Sequence, residues 1–384
     1  MIYMDNAATT MICPAAYRAM MPYLDKQFGN ASAGYRIAYV SREAIERSRK
    51  IIAGTINAYP EEIFFTSGGT ESDNWAIKSI MLQKEEDIFV RRNEMITSTI
   101  EHKAVKNTCN YIRNMGAKVI EIGVDRYGMI DLEQLRNTIN DSTRMISIMM
   151  ANNEIGTIEP IAQIGRIAKA ENIIFHTDAV QAYGHIPIDV KKMNIDMLSA
   201  SGHKFGAPKG CGFLYISRNI DVESFIHGGS QEAGRRSGTE NVASIVAMGA
   251  AAEYQISKMF RNNRRITKLR DYICDGIKRR IDGVRINGSL DCRLPGNISV
   301  SIDGVVGAAI VEKIDQFGIC ISAGSACSAG KGEPSHVLTA IGLSSEEAKS
   351  TIRISINENN TFAEADFMMD KLSYVVKKLR NNRR

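Results

Sequence analysis

Four short segments hold side chains that could act on a small molecule. In IFFTSGGTES, residues 63–72, a β-rich run meets two glycines and then the start of a helical pattern. Backbone N–H groups left open at such a helix N-terminus suit an anion, above all a phosphate, although a plain tight turn would read the same way. Asp178 closes the apolar run IIFHTD. A carboxylate buried there needs a partner, either a structural cation or a protonated ring nitrogen. Lys204 sits in SASGHKFGAPKG, 26 positions after Asp178. Its small neighbours and His203 leave little room for an ordinary surface ammonium, and desolvation of such an amine favours its neutral, nucleophilic form. His102 follows MITSTI in the pair Glu101-His102. Alone it fits a structural histidine, but a flat ring at a strand end could also stack on a pyridine face. An amine able to form a Schiff base, a carboxylate for a pyridinium and a turn for a phosphate are together what pyridoxal 5'-phosphate (PLP) requires.

The elements that must position these groups are legible in outline. Between residues 60 and 216, β-rich runs at 63–66, 95–100, 118–124, 145–151, 173–177 and 212–216 alternate with helical patterns such as Ile161, Ile164, Ile167 and Ala168. That alternation predicts an α/β fold with a largely parallel sheet and helices on both faces, whose sites gather at the carboxyl ends of strands. After Thr239 a helical stretch runs towards Ile281 and bridges into a smaller, mixed region. There the sequence predicts a strand over 297–302, a helix over 308–317, a loop rich in Gly, Ser and Ala at 322–332, and a helix opened by a capping box of Ser344 and Glu347.

Composition narrows the class. A length of 384 residues allows two or three domains, and 44% apolar with 24% charged residues describes a compact enzyme-like chain. The start MIYMDNAATT has acidic Asp5 and no basic lead into an apolar stretch, and the longest near-apolar run, from Val242 to Ala252, is far short of the roughly 20 residues that cross a bilayer. A cytoplasmic protein with no membrane association is expected. Seven cysteines, odd in number and without a CxxC pair, argue against a disulfide framework and a structural metal. The net charge of +5 owes part of its excess to Arg261, Arg264, Arg265 and the terminal KKLRNNRR, where no aromatic residues interleave, so direct nucleic-acid binding is not expected.

The chain resembles the cysteine desulfurases, in the NifS/IscS-like branch of the class V aminotransferase group. The likeness is carried in order by MDNAATT, FTSGGTESDN, STIEHKAV, ANNEIGTIEPI, HTDAVQAYG, SASGHKFGAPKG, RRSGTENV, SAGSACSAG and IRIS. It implies a fold-type I PLP enzyme: a large domain, residues 11–255, around a mostly parallel seven-stranded sheet, and a smaller α+β domain from residues 1–10 and 256–384. It further implies that Gly69 and Thr70, with Ser201 and His203, take the phosphate, that Lys204 forms the Schiff base and that Asp178 pairs with the ring nitrogen. Gln181 then meets the ring phenolate oxygen, His102 stacks and moves protons, and Asn153 lies near that oxygen and the substrate. Thr239 would reach the phosphate of a second chain, implying a homodimer. Arg353 would grip the substrate carboxylate.

Cys327, in the loop SAGSACSAGKG, would take sulfur from L-cysteine as a persulfide, leaving L-alanine, and pass it to an acceptor for iron–sulfur cluster assembly or tRNA thiolation. Cys13, Cys109, Cys211, Cys274, Cys292 and Cys320 read as small buried hydrophobes. One segment departs from the family pattern: GNASAGYRIA, residues 29–38, lacks the usual proline and sets Tyr35 near the place of a histidine. A selenocysteine lyase or another class V lyase would share every cofactor residue. A non-catalytic binding partner would have no use for the lysine, aspartate and cysteine.

Overall fold

A computed structural model of the chain describes residues 1–83, 92–324 and 334–382. Its centre is a seven-stranded sheet in the spatial order Ile63–Thr66, Gly212–Ile216, Met197–Ser201, Ile174–Asp178, Thr143–Ser147, Glu94–Ser98 and Lys118–Ile122. Gly212–Ile216 is antiparallel to both neighbours, and the remaining pairs are parallel. The antiparallel step follows from chain length. Only residues 202–211 join Met197–Ser201 to Gly212–Ile216, too few for the crossover helix that a parallel return needs.

Side-chain alternation along the strands feeds two cores. Ile63, Phe65, Ile96, Ile146, Leu198, Phe213 and Tyr215 face one side, whereas Phe64, Met95, Met145, Met197, Leu214 and Ile216 face the other. Both faces are covered over Ile63–Thr66 and Gly212–Ile216, which therefore read as near-continuous apolar runs. Met197–Ser201 escaped notice in the sequence because MLSAS is rich in small and hydroxyl residues. Its hydroxyls do internal work: Ser199 Oγ bonds His176 Nε2 at 3.0 Å.

A third core lies around the four-stranded antiparallel sheet Ser322–Ala323, Thr351–Ser355, Asn297–Ile302 and Val284–Asn287, packed with helices Gly307–Asp315 and Phe362–Asn381. The N-terminal strand Ile2–Tyr3 joins this region by pairing in parallel with Ile319–Cys320. Helix Val242–Arg280 runs about 58 Å at 1.5 Å per residue. Its first half packs Ile245, Met248 and Ala252 into the sheet core, and its second half packs Ile266, Leu269, Ile273 and Ile277 into the smaller one. The capping box of Ser344 and Glu347 forms, with reciprocal bonds of 2.7 and 3.2 Å. Among the described residues no helix is long and apolar enough to cross a membrane.

Candidate active site

The strands deliver their carboxyl ends to one cavity of about 310 Å3. Asp178 ends Ile174–Asp178, Ser201 ends Met197–Ser201, His102 follows Glu94–Ser98 by one turn, and Gly68-Gly69 follow Ile63–Thr66. Gly69, Thr70, His102, Asn153, Asp178, Gln181, Ser201, His203, Lys204 and Arg353 all line the cavity. Thr239 does not; it is exposed on the loop before the long helix. Cys327 lies outside the described residues, as does most of the predicted 322–332 loop, of which Ser322 and Ala323 form a strand. Tyr35 is exposed and stands at the N-cap position of helix Arg36–Thr55 without a side-chain bond to it. Three cysteines depart from the expectation of burial: Cys274 and Cys320 are only partly buried, and Cys292 is exposed, because it sits in a surface turn with its N–H on Ser289 Oγ at 3.0 Å.

The turn before helix Gly69–Met81 has the shape of an anion cradle. Gly68 has φ 152°, and a Cβ on Gly69 would meet Val180 Cγ2 at 2.5 Å. A Cβ on Gly212 would meet Gly68 Cα at 2.7 Å, so the antiparallel strand packs directly against the turn. The first N–H groups of the helix have no carbonyl partner within it and carry the positive end of its dipole. Ser201 and Thr70 stand beside them on the cavity wall.

Asp178 is 4% exposed, and it accepts from Val180 N–H at 2.8 Å. Burial raises its carboxyl above the usual range, with His102 and Lys204 pulling the other way. A carboxylate this deep needs a cation, and a protonated ring nitrogen fits that demand. Lys204 Nζ donates to the carbonyls of Ala7 at 2.6 Å and Ala8 at 2.8 Å. Gln181 Nε2 donates to the same Ala7 carbonyl at 3.0 Å. His203 Nδ1 bonds Thr9 Oγ1 at 3.1 Å, and burial, with Lys204 nearby, lowers the ring to about 4, so it is neutral. The cradle, the buried carboxylate and the lysine therefore suit PLP.

His102 is also the N-cap of helix Lys103–Asn114: its Nδ1 accepts from Ala104 N–H at 3.1 Å. Burial lowers the ring's affinity for a proton. With Nδ1 accepting, the neutral ring carries its hydrogen on Nε2.

Arg353, 2% exposed in strand Thr351–Ser355, donates through Nη2 to Asp5 Oδ1 at 2.9 Å and through Nη1 to the Asn153 carbonyl at 3.0 Å. Asp5 is steadied in turn by Ser322 Oγ at 3.0 Å. The buried Nε has no partner among the described residues, which leaves donor capacity for a carboxylate.

Several cavity residues were not singled out in the sequence, although each lies inside a quoted motif. Glu101 is fully buried and pushed up to about 8 by burial, although Ser98 Oγ and Met149 N–H bond its Oε1 at 2.6 and 2.9 Å. Glu154, raised by burial to about 7, accepts from Ser335 Oγ at 2.5 Å. Asp73 is raised well above the carboxylate range by burial and by Asp178. It lies 3.7 Å from His176 Nε2, but burial lowers that ring to about 3, so the contact is not an ion pair. Glu101 directly follows MITSTI, whereas nothing in GTESDN or ANNEIG sets Asp73 or Glu154 apart from their polar neighbours.

The chain belongs to the class V aminotransferase family, whose family model matches residues 2–368; members of this family use PLP as cofactor. Among its relatives is a protein named cysteine desulfurase IscS from Methanosarcina thermophila, 46% identical, with the match covering 99% of this chain and 93% of that one. A solved NifS-like protein superposes with a TM-score of 0.91 at 35% identity, covering 98% of this chain and 99% of that one. A structure described as SspA in complex with cysteine has a TM-score of 0.82 at 38% identity, covering 93% of this chain and 99% of the other.

Proposed function

We propose that this chain is a PLP-dependent cysteine desulfurase that converts L-cysteine to L-alanine and passes the sulfur through Cys327 to an acceptor protein. The observation that carries this reading is the convergence of Lys204, Asp178, His102 and Arg353 on one cavity beside a helix N-terminus. It is supported by relatives named cysteine desulfurase. When bound, the cofactor supplies an electron sink for charge developing at the substrate α-carbon. Lys204 Nζ would hold the cofactor and, as the amine nearest the substrate, would move protons at that carbon. Asp178 would keep the ring nitrogen protonated, and Gln181 would donate to the ring oxygen. Thr70, Ser201, His203 and the open N–H groups after Gly68 take the phosphate. His102 would lie against the ring and could exchange a proton at Nε2, its Nδ1 being committed to Ala104. Arg353 grips the substrate carboxylate with two parallel donors, and Asn153 lies beside it.

Cys327 as thiolate attacks the substrate sulfur. L-cysteine plus the thiol gives L-alanine plus the persulfide, so sulfur moves at balanced oxidation state without an outside oxidant. The large unit, residues 11–255, carries the cofactor groups, and the smaller one, residues 1–10 and 256–384, carries Arg353 and the cysteine loop. Two chains pair, so that Thr239 of each reaches the phosphate held by the other. The protein works in the cytoplasm, handing sulfur to an iron–sulfur scaffold or a tRNA-thiolation protein.

The test is to give L-cysteine to the PLP-loaded protein and to follow alanine by chromatography and sulfur on the Cys327 peptide by mass spectrometry. Both are expected in the wild type, and neither above background in Cys327→Ser. Full alanine production by that variant would overturn the relay and leave a lyase that releases sulfur directly.

A further inference from the structure

The loop between residues 226 and 240 stands outside the cavity, yet it is fastened to both elements that make the phosphate cradle. Arg236 donates from Nε to Glu71 Oε1 at 2.7 Å and from Nη2 to Glu71 Oε2 at 3.1 Å. Glu71 directly follows Thr70 in the first turn of helix Gly69–Met81, and its Oε2 also accepts from Ser67 N–H at 2.8 Å. Glu71 thus holds the turn in shape, but it sets a negative charge beside the place where a phosphate would lie. Burial pushes its carboxyl up, but the bonds from Arg236 and Ser67 outweigh this and leave it below the usual range, hence ionised.

Arg236 is not a loose surface side chain. Its backbone bridges to Ile226, with Ser237 N–H on the Ile226 carbonyl at 3.0 Å and Phe225 N–H on the Arg235 carbonyl at 2.8 Å. On the loop's other flank Glu232 takes both Nη atoms of Arg49 at 2.8 Å each and Phe65 N–H, also at 2.8 Å. That clamp holds Glu232 and Ala233 in left-handed backbone, φ 47° and 57°, which non-glycine residues adopt only when held. Phe65 belongs to Ile63–Thr66, the strand that leads into the cradle. The loop is therefore braced to the strand through Glu232 and to the helix through Arg236.

We infer that Arg236 is a positioning residue for the cofactor phosphate, cancelling the charge of Glu71 so that the first turn of Gly69–Met81 can accept a dianion. This rests on the reading of the cavity as a PLP site. Unpaired, the Glu71 carboxylate would repel the phosphate at short range and compete for the same N–H groups.

The experiment is an equilibrium titration of cofactor-free, full-length protein with PLP and, in parallel, with pyridoxal, which lacks the phosphate. Arg236→Gln is expected to weaken PLP about tenfold, the effect of one uncompensated nearby charge, and to leave pyridoxal unchanged. Arg236→Lys, which keeps the charge, should recover most of the loss. The double variant Arg236→Gln/Glu71→Gln should return close to wild type, because glutamine still accepts from Ser67 N–H without carrying charge. Equal weakening of both ligands, a double variant as weak as the single one, or unchanged PLP affinity in Arg236→Gln would each overturn the inference. Failure of the wild type to bind PLP would instead overturn the cofactor reading and this inference with it.

Discussion

Lys204 donates to two carbonyls of the N-terminal segment, and a covalent bond to an aldehyde carbon would leave its nitrogen at most one N–H. Loading must therefore free a carbonyl, and Ala7 keeps a donor in Gln181. Borohydride reduction of the loaded wild type is expected to fix the cofactor on the Lys204 peptide alone, and Lys204→Ala should lose both the visible absorption band and turnover. A label on another lysine would refute the assignment. Asp178→Asn removes a preorganised charge from a buried position and should slow turnover by about two to three orders of magnitude; an unchanged rate in stopped-flow absorbance would remove Asp178 from the chemistry. Arg353→Lys replaces a planar fork by a point charge, so KM for L-cysteine should rise about tenfold or more while the cofactor spectrum stays as in the wild type. An unchanged KM would mean that the substrate carboxylate is held elsewhere.

Strands were the most legible elements: Ile63–Thr66 and Gly212–Ile216 fall where the apolar runs predict them, because burial on both faces leaves an uninterrupted signal, and Asn297–Ile302 falls where NISVSI alternates polar and apolar residues. Met197–Ser201 and Val284–Asn287 were hidden, the first by its serines and the second by being only partly buried. Asp178 and His102 could be found because each ends or follows such a run, and Lys204 because small residues and His203 crowd it 26 positions after Asp178. Asp5, Glu101 and Glu154 could not be given roles, since their partners are long-range and no spacing announces them. Buried carboxyls also set the response to pH. Glu159, before helix Ile161–Ala170, accepts from Ile130 N–H at 3.0 Å and is pushed up to about 8 by burial. In the unfolded chain it ionises near its ordinary 4.5, so between the two values the folded state holds the extra proton and its stability falls as pH rises. Glu159→Gln cannot ionise. Its stability relative to wild type should therefore improve between pH 5 and pH 8, by on the order of 3 kcal/mol in denaturant titrations. A difference independent of pH would show that Glu159 is already ionised in the folded chain.

At the scale of the whole molecule, pairing of two chains has a direct test. Mixed dimers of Lys204→Ala with Thr239→Ala contain one site in which both residues are intact only if Thr239 acts across the interface. Recovery of activity on mixing is expected, up to about half that of the wild type for each mixed dimer on a simple count of sites. No recovery from dimers shown to be mixed would place Thr239 on its own chain's site or off the site altogether. Closure of the chain on itself has a different consequence. Ala7 and Ala8 hold Lys204, yet their segment is kept in place by Ile319–Cys320 and by Arg353 and Ser355, with Asp5 and Arg353 separated by 348 positions. Such a contact closes last and slowly, because the entropy of a very long loop must be overcome first. On the ribosome, residues 5–8 wait until Arg353 and Ser355 have been made before the carbonyls that hold Lys204 are braced. A chain broken off before Arg353 would lack the partners of Asp5 and Ala7, and with them the brace that sets the carbonyls facing Lys204.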